Sequence, residues 1–237
     1  MLKNSLGKRK LAFKIVGSIL ILLLMILGGF LIWAQDYYHA QPTALALLND
    51  ESIHHQSNVY SLASTEDTTI GLIFYPGAKV EAIAYLPLLK QISELGIEVY
   101  LVEMPLNMAI FDINAATKII EEHDNITKWY MAGHSMGGAM ASKYASDHED
   151  QIEGLILLGA YVYGDYPVDK SLTIYGSFNQ SVEDHLDYTE NIVEIVGGNH
   201  AQFGNYGKQK GDKDATISPK RQQAITVEAI KAFIFKQ

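Results

Sequence analysis

The sequence predicts an α/β fold, in which a mostly parallel sheet carries helices on both faces. From residue 69 onward, short runs of β-branched and aromatic residues alternate with segments whose apolar residues recur at helical spacing. Strands that alternate with helices form parallel sheets, because each helix returns the chain to the edge where the previous strand began. The chain has 237 residues, 48% of them hydrophobic, which is enough for one core.

The individual elements follow from local patterns. Apolar, β-branched or aromatic runs predict strands at 58–63, 69–75, 97–102, 127–132, 152–158, 172–175 and 191–196. Apolar residues three or four positions apart predict helices at 85–95, 114–123, 138–146 and 218–235, with a shorter one at 43–48. Gly96 is a plausible stop for the first long helix. Ser218 is a plausible cap for the last, with Pro219 at its first position.

The N-terminal segment is expected to cross a membrane. Residues 15–33 carry no charge, and as a helix they span about 28 Å, close to the thickness of a hydrocarbon core. Five basic residues precede this run and no acidic residue occurs before Asp36, which predicts a cytoplasmic N-terminus with the rest of the chain outside. A cleaved signal peptide is the alternative. The only plausible cut, after Ala34, places Ile32 where a small residue is expected.

Four regions are therefore expected. They are a cytoplasmic basic segment at 1–14, a transmembrane signal-anchor helix at 15–34, a stalk at 35–57, and the α/β domain at 58–237.

Charge and composition exclude several classes of protein. The rest of the chain, after the five N-terminal basic residues, has 13 basic and 27 acidic side chains. It is therefore strongly acidic and poorly suited to binding nucleic acid. The chain has no cysteine, which excludes disulfides and thiolate chemistry. His54 and His55 lack companion residues at metal-ligand spacing. No metal or organic cofactor is expected.

The strongest motif is Gly133-His134-Ser135-Met136-Gly137, a G-x-S-x-G pattern between a predicted strand and a predicted helix. This setting is typical of the nucleophile turn of serine hydrolases with the α/β-hydrolase fold. Ser135 is the expected nucleophile, and the backbone N–H of Met136 would face a developing oxyanion at the helix N-terminus. A Gly-rich turn that binds phosphate, or that serves packing alone, is the competing interpretation. His134 adjoins the serine and is expected to be structural.

The base and a second oxyanion donor are expected in loops that follow other strands. Gly197 and Gly198 precede His200 after the last predicted strand, and they leave the chain free to bring this imidazole over the sheet to Ser135. The loop after strand 69–75 supplies the second oxyanion N–H in this fold, and Ala78 is the candidate donor.

The acid of a catalytic triad is not evident. Its expected place, in the loop after strand 172–175, holds Asn179. An amide neither fixes the imidazole tautomer nor stabilises the imidazolium as well as a carboxylate does. Three candidates remain, in the order Asp184, Asn179 and Asp165.

Five segments together resemble a bacterial α/β-hydrolase family related to dienelactone-hydrolase-like proteins. They are FYPGAKVE (74–81), EMPLN (103–107), GHSMGGAMA (133–141), LTIYGS (172–177) and GGNHAQFGNYGKQKGD (197–212). The resemblance covers roughly residues 58–235 and implies a Ser-Asp-His hydrolase with Ser135 and His200 in the motif positions. It also implies an aspartate where this chain has Asn179, and it names no substrate.

The sequence thus predicts a serine hydrolase that cleaves carboxylic esters or related acyl compounds through an acyl-enzyme. Its partners would be a small-molecule, lipid or cell-envelope ester and the cell membrane, reached through the N-terminal helix. Only about ten residues separate Ala160 from Leu172, so a minimal lid and a shallow site are expected. A peptidase or acyltransferase with the same residues, or a non-catalytic binding domain, are the rival functions. Asp212 and Asp214 could bind a cation, but a solvated loop is the favoured interpretation.

Overall fold

The computed structural model describes residues 2–236, with side chains from Leu11 onward apart from residue 12. The chain divides into two compact units, the first ending at Asp36 and the second beginning at Tyr37. The first unit is one helix, α1 (Leu2–Gln35). Its segment Phe13–Gln35 is long and apolar enough to cross a membrane, a property that signal sequences share.

The second unit is built on one sheet. In the part of the chain that the structure describes, eight strands follow the order β1-β2-β4-β3-β5-β6-β7-β8. Pairs from β4 through β8 are parallel, whereas β1 and β2 form an antiparallel extension beside β4. The strands are β1 (Ile53–Gln56), β2 (Val59–Leu62), β3 (Ile70–Tyr75), β4 (Glu98–Val102), β5 (Lys128–His134), β6 (Ile152–Leu158), β7 (Ser171–Gly176) and β8 (Ile192–Ile195).

Helices cover both faces of this sheet. They are α2 (Pro42–Leu45), α3 (Leu86–Ser93), α4 (Ala115–Glu122), α5 (Met136–Asp147), α6 (Gln180–Glu183) and α7 (Pro219–Ile234). The apolar residues of α3 and α7 join one buried cluster, and those of α4 and α5 join another on the opposite face. The Ser218 hydroxyl accepts a hydrogen bond from the N–H of Arg221 and caps α7 as its sequence predicts. The predicted α/β fold is confirmed.

The stalk expected at 35–57 is not what the structure has. Tyr38 already pairs with Val80, its N–H donating to the carbonyl of Lys79 at 2.7 Å. Ala44 is fully buried, and β1 lies in the segment where a stalk was expected. From Tyr37 onward, these residues therefore belong to the compact α/β unit.

The parallel register brings four loops to one edge of the sheet. Tyr75 is paired with Gly133, Leu158 with both His134 and Ile174, and Gly176 with Ile195. The segments after β3, β5, β7 and β8 consequently emerge side by side. These are the segments that carry the candidate site residues, and carboxyl ends of parallel strands are the usual place for active sites.

Candidate active site

Ser135 occupies a sharp turn between β5 and α5. Its backbone has φ 53° and ψ −123°, a conformation that costs a non-glycine residue about 1–3 kcal/mol. The neighbouring glycines are required by close approach. A Cβ on Gly137 would lie 2.1 Å from the carbonyl oxygen of Tyr75, and one on Gly133 would lie 2.5 Å from the carbonyl carbon of Gly137. Strand, helix and the end of β3 therefore meet at van der Waals contact around the serine.

Two adjoining cavities share Ser135 and His200 in their walls. The first, the polar cavity, has a volume of about 470 Å³. Besides these two residues it is lined by Phe178, Asn179, Gln180, Ser181, Gln209, Lys210, Gly211, Asp212 and Lys213. The second, the tyrosine cavity, has a volume of about 250 Å³, and its remaining walls are Met136, Ala139, Gly159, Ala160, Tyr161, Tyr163, Ser181 and Val182. The structure thus brings the predicted nucleophile and the predicted base to one site.

His200 is held through its backbone as well as its ring. Gly198 approaches the end of β7 so closely that a Cβ on Gly176 would lie 2.3 Å from the carbonyl carbon of Gly198. The N–H of His200 donates to Asp212 Oδ1 at 3.3 Å, and its carbonyl oxygen accepts from His134 Nε2 at 3.0 Å. The preceding Asn199 exchanges two hydrogen bonds with the buried Gln222 of α7, at 3.0 and 2.8 Å. The loop that presents the imidazole is therefore fixed on both sides.

The position beside the imidazole is occupied by Asn179. Its Nδ2 lies 2.7 Å from His200 Nδ1, and its Oδ1 accepts from the Ser181 hydroxyl at 2.9 Å. Asn179 is 6% exposed, so the contact is sheltered from water. With an NH₂ group facing Nδ1, that ring nitrogen must be the acceptor, and the proton of neutral His200 is on Nε2. Rotating the amide by half a turn reverses this, because Ser181 Oγ can accept as well as donate.

The two aspartates offered by the sequence lie elsewhere. Asp184, ranked first, is exposed at the end of α6 and accepts a hydrogen bond from Gln180 Nε2 at 3.2 Å. Asp165 is also exposed, and its N–H donates to the Ser146 hydroxyl at 2.9 Å. Neither residue lines either cavity. The geometry therefore favours Asn179 over both as the partner of His200, against the order that the sequence suggested.

The oxyanion donors differ in how directly they face the site. Among the described residues, the N–H groups of Met136 and Ala78 have no acceptor, whereas the flanking N–H groups of Gly77 and Lys79 donate to Tyr85 Oη and to the carbonyl of Asn107. Met136 begins α5 and lines the tyrosine cavity, which suits a helix N-terminal donor. Ala78 lines neither cavity.

His134 connects the oxyanion loop to the base. It is 1% exposed, and its Nδ1 lies 2.8 Å from the hydroxyl of Tyr85. The N–H of Gly77 donates to the same hydroxyl at 3.1 Å. Since His134 Nε2–H donates to the His200 carbonyl, Nδ1 is the acceptor and Tyr85 the donor. The sequence indicated a structural histidine here but gave no sign of its partner Tyr85.

The electrostatics favour neutral imidazoles at this site. Burial lowers the pKa of His134 well below its usual range, and the nearby His200 acts in the same direction. Burial also lowers the pKa of His200, while the carboxylate of Asp212 opposes that shift. A neutral His200 at physiological pH can accept a proton, as a general base must. Among the described residues, no group of three or more His, Cys, Asp or Glu side chains could hold a metal ion.

Asp212 has a contact that sequence reasoning missed. Instead of being free in a solvated loop, its carboxylate accepts from the N–H groups of His200 and Ala201, the latter at 2.8 Å. The two partners are 12 and 11 residues away in the chain, so no local spacing rule could reveal the pairing.

Comparison with known proteins places these features in a family. The profile described as "Alpha/beta hydrolase family" matches residues 71–224. A protein of Mycobacterium phage D29 that carries the name of a non-heme haloperoxidase is 32% identical over 107 residues, which cover 41% of this chain and 38% of the phage protein. This chain thus spans well under half of the length of that relative.

Solved structures share the architecture at low identity. Est1E from Butyrivibrio proteoclasticus, with ferulic acid bound, has a TM-score of 0.54 and 16% identity, covering 76% of this chain and 94% of Est1E. MenH from S. aureus has a TM-score of 0.56 and 10% identity, covering 76% of this chain and all of MenH. At such identities the likeness concerns the fold.

Proposed function

This chain belongs to the α/β hydrolase family, and from that premise we propose that it is a serine hydrolase that cleaves carboxylic esters through an acyl-enzyme on Ser135. One observation carries the proposal: the hydroxyl-bearing residue of a strained strand–helix turn shares the walls of two cavities with a half-buried histidine whose pKa is lowered. Backbone strain at such a position is typical of functional sites.

The reaction follows from the roles of these groups. Ser135 Oγ attacks the ester carbonyl carbon while its proton passes to His200 Nε2. The carbonyl oxygen becomes an oxyanion, which the N–H of Met136 at the start of α5 stabilises, with Ala78 as the second proposed donor. Collapse breaks the bond to the alkoxy group, which leaves with the proton from His200. Water then attacks the acyl-enzyme by the same route and releases the acid.

Asn179 acts as the partner that orients the base. To accept the serine proton, Nε2 must be unprotonated, so the proton of neutral His200 must lie on Nδ1. This requires Asn179 Oδ1 to face Nδ1, with Nδ2 turned to Ser181. The amide supports this arrangement but offers no charge to the imidazolium. Because of this difference, we expect slower hydrolysis than in an enzyme with a full Ser-His-Asp triad.

The cavities limit the substrate. The tyrosine cavity, walled by Tyr161, Tyr163 and small apolar side chains, suits an acyl or alkyl group, and the polar cavity suits a more hydrophilic portion. The connection from β6 to β7 is short, so it forms no large lid over the cavities. Small-molecule, lipid and cell-envelope esters all fit this description. Within the family, the dienelactone-hydrolase-like branch is the proposed affiliation.

We propose that residues 15–34 of α1 anchor the enzyme in the cell membrane as a single pass, with residues 1–14 in the cytoplasm and the hydrolase outside. The five basic residues before the apolar run support that orientation. Protease protection in intact cells tests it: the α/β unit should be digested from outside, and complete protection would refute this topology.

A fluorophosphonate probe tests the enzymatic proposal. The full chain in detergent should be labelled on Ser135, as located by mass spectrometry, and should hydrolyse p-nitrophenyl acetate. Ser135→Ala should abolish both, and His200→Gln should slow both by at least about a thousandfold. His54→Gln, a change on the exposed strand β1, is the matched control and should leave both unchanged.

A non-catalytic binding domain is the second candidate, favoured by the amide of Asn179 in the acid's place. It predicts a folded chain whose Ser135 reacts with the probe no faster than free serine. That result would refute the hydrolase proposal.

A further inference from the structure

The site lacks a carboxylate beside the imidazole, yet one carboxylate does touch His200. Asp212 Oδ1 accepts from the His200 N–H at 3.3 Å, and Oδ2 accepts from the Ala201 N–H at 2.8 Å. Asp212 is half-buried and lines the polar cavity together with Ser135, Asn179 and His200. It therefore contacts the backbone of His200 and also faces the cavity that Ser135 lines.

The loop after His200 is built to return Asp212 to this position. Asn199 Nδ2 donates to the carbonyl of Lys213 at 2.8 Å, which draws the far end of the loop back to the base. The carbonyl of Gly197 also accepts a hydrogen bond from the N–H of Thr216 at 2.8 Å, so a second contact joins the two ends of this loop. Gly211 has φ +87°, a conformation that favours glycine, and it turns the chain directly before Asp212.

We propose that Asp212 is the positioning carboxylate of this enzyme, which holds the base loop by two backbone hydrogen bonds and supplies the negative charge that the amide of Asn179 lacks. The inference rests on the proposed hydrolase function. When the Ser135 proton passes to Nε2, His200 becomes an imidazolium. The half-buried carboxylate of Asp212, which accepts from the His200 N–H, stabilises that cation.

The other charged groups near His200 do not take this role. His134 packs against the His200 ring with centroids 4.5 Å apart, but its burial keeps it neutral. Lys210 and Lys213 also line the polar cavity; both are exposed, and their charge would disfavour an imidazolium. Among the described residues that line either cavity, Asp212 is the only acidic one.

The first test is the titration of His200 itself. In the full chain in detergent micelles, ¹³C-histidine NMR resolves the eight histidines, and His200→Gln assigns the resonance. Asp212→Asn keeps an acceptor oxygen but removes the charge, so the pKa of His200 should fall. Asp214→Asn is the matched control, because it removes the same charge from the same loop at an exposed residue paired with Lys208. It should leave the pKa of His200 unchanged.

The second test is kinetic and uses both positions. At pH 7, Asp212→Asn should lower kcat about tenfold with little change in KM, since the charge acts on the transition state. In an Asn179→Asp background, Asp212→Asn should lower kcat by less than about threefold, because the new carboxylate at position 179 also stabilises the imidazolium. Asp212→Glu should retain more of the rate than Asp212→Asn.

The proposal is wrong if Asp212→Asn and Asp214→Asn give the same pKa for His200. It is also wrong if Asp212→Asn lowers kcat by the same factor in the wild-type and the Asn179→Asp backgrounds. If Asp212→Asn does not fold, Asp212→Ser offers another neutral acceptor for the same backbone groups. Should wild-type Ser135 resist the fluorophosphonate probe, the hydrolase function fails. The titration still decides whether Asp212 controls the charge of His200, so the two failures are distinguishable.

Discussion

Asn179→Asp is the substitution that tests the arrangement of the site most directly. The amide Nδ2 lies 2.7 Å from His200 Nδ1, so a carboxylate of the same shape would accept from an Nδ1–H at that distance. It would fix the productive tautomer and face the imidazolium with a full charge. We therefore expect faster hydrolysis.

The size of the gain can be bounded. A hydrogen bond to a charged group contributes about 1.5–3 kcal/mol, against about 0.5–1.5 kcal/mol for a neutral one. The difference of about 1–1.5 kcal/mol corresponds to roughly a tenfold rise in kcat/KM. The upper bound is about 10⁴, the cost of the reverse change in the serine-protease template. The charge of Asp212 already present beside His200 keeps the expected gain near the lower figure.

The same substitution should have a cost in stability. Asn179 is 6% exposed, and a buried carboxylate has only His200 and the Ser181 hydroxyl to replace its hydration. We expect a loss of about 1–3 kcal/mol in the free energy of unfolding, measured by urea titration.

The assay is hydrolysis of p-nitrophenyl acetate as a function of pH, together with the rate of fluorophosphonate labelling. The added carboxylate raises the pKa of His200, so the acid limb of kcat/KM should move to higher pH while the plateau rises. Asn125→Asp, which makes the same change at an exposed residue in the loop before β5 that lines neither cavity, is the matched control and should change the plateau by less than about threefold. A folded Asn179→Asp protein that is no faster than wild type would refute the assignment of this position.

Three further outcomes follow from the same geometry. Gly137→Ala should destabilise the chain by about 1–3 kcal/mol in urea titration, because its Cβ would lie 2.1 Å from the carbonyl oxygen of Tyr75; an unchanged midpoint would contradict this packing. His134→Ala should slow hydrolysis about tenfold or more and cost about 1–3 kcal/mol of stability, since it leaves the buried Tyr85 hydroxyl and His200 carbonyl without their partner. The depressed pKa of His134 means that the unfolded chain binds more protons than the native one below about pH 6.5, so stability should fall as pH drops from that value, and less so in His134→Gln.

Much of the sheet could be predicted because its strands are buried on both faces. Such strands appear as continuous apolar runs; β6, for example, matches the predicted run at both ends. The strand β1 escaped prediction, because its residues Ile53–Gln56 include two histidines and a glutamine and lie exposed at the sheet edge. A two-residue turn joins it to β2, and pairing across that turn, not apolar content, makes it a strand.

Some residues of the site can be predicted from local sequence patterns, whereas others are recognisable only through contacts with distant parts of the chain. Ser135 and Gly137 are predictable because the turn constrains residues that are adjacent in sequence. His200 is predictable because it follows the last strand of a known type of sheet. Tyr85, Gln222 and Asp212 act through hydrogen bonds to residues 49, 23 and 12 positions away, and the side chains themselves are ordinary in their local context. Only the folded arrangement reveals that they hold the loops of the site.

The proposed division of roles between Asn179 and Asp212 would explain how a site without a triad acid can catalyse hydrolysis. A triad carboxylate does two things at once: it selects the imidazole tautomer, and it stabilises the cation. Here a neutral amide contacts Nδ1 and can select either tautomer by rotating, while the charge reaches the base loop through the backbone of His200. Because the NH₂ group faces Nδ1 in the structure, the productive form needs an amide rotation that Ser181 can complement. The proposed enzyme should therefore gain most from changes that lock the amide oxygen toward Nδ1. Ser181→Ala removes the hydroxyl that now holds Oδ1, so the amide is freer to turn its oxygen toward Nδ1 and kcat should rise. A kcat no higher than that of wild type would contradict this account of the amide.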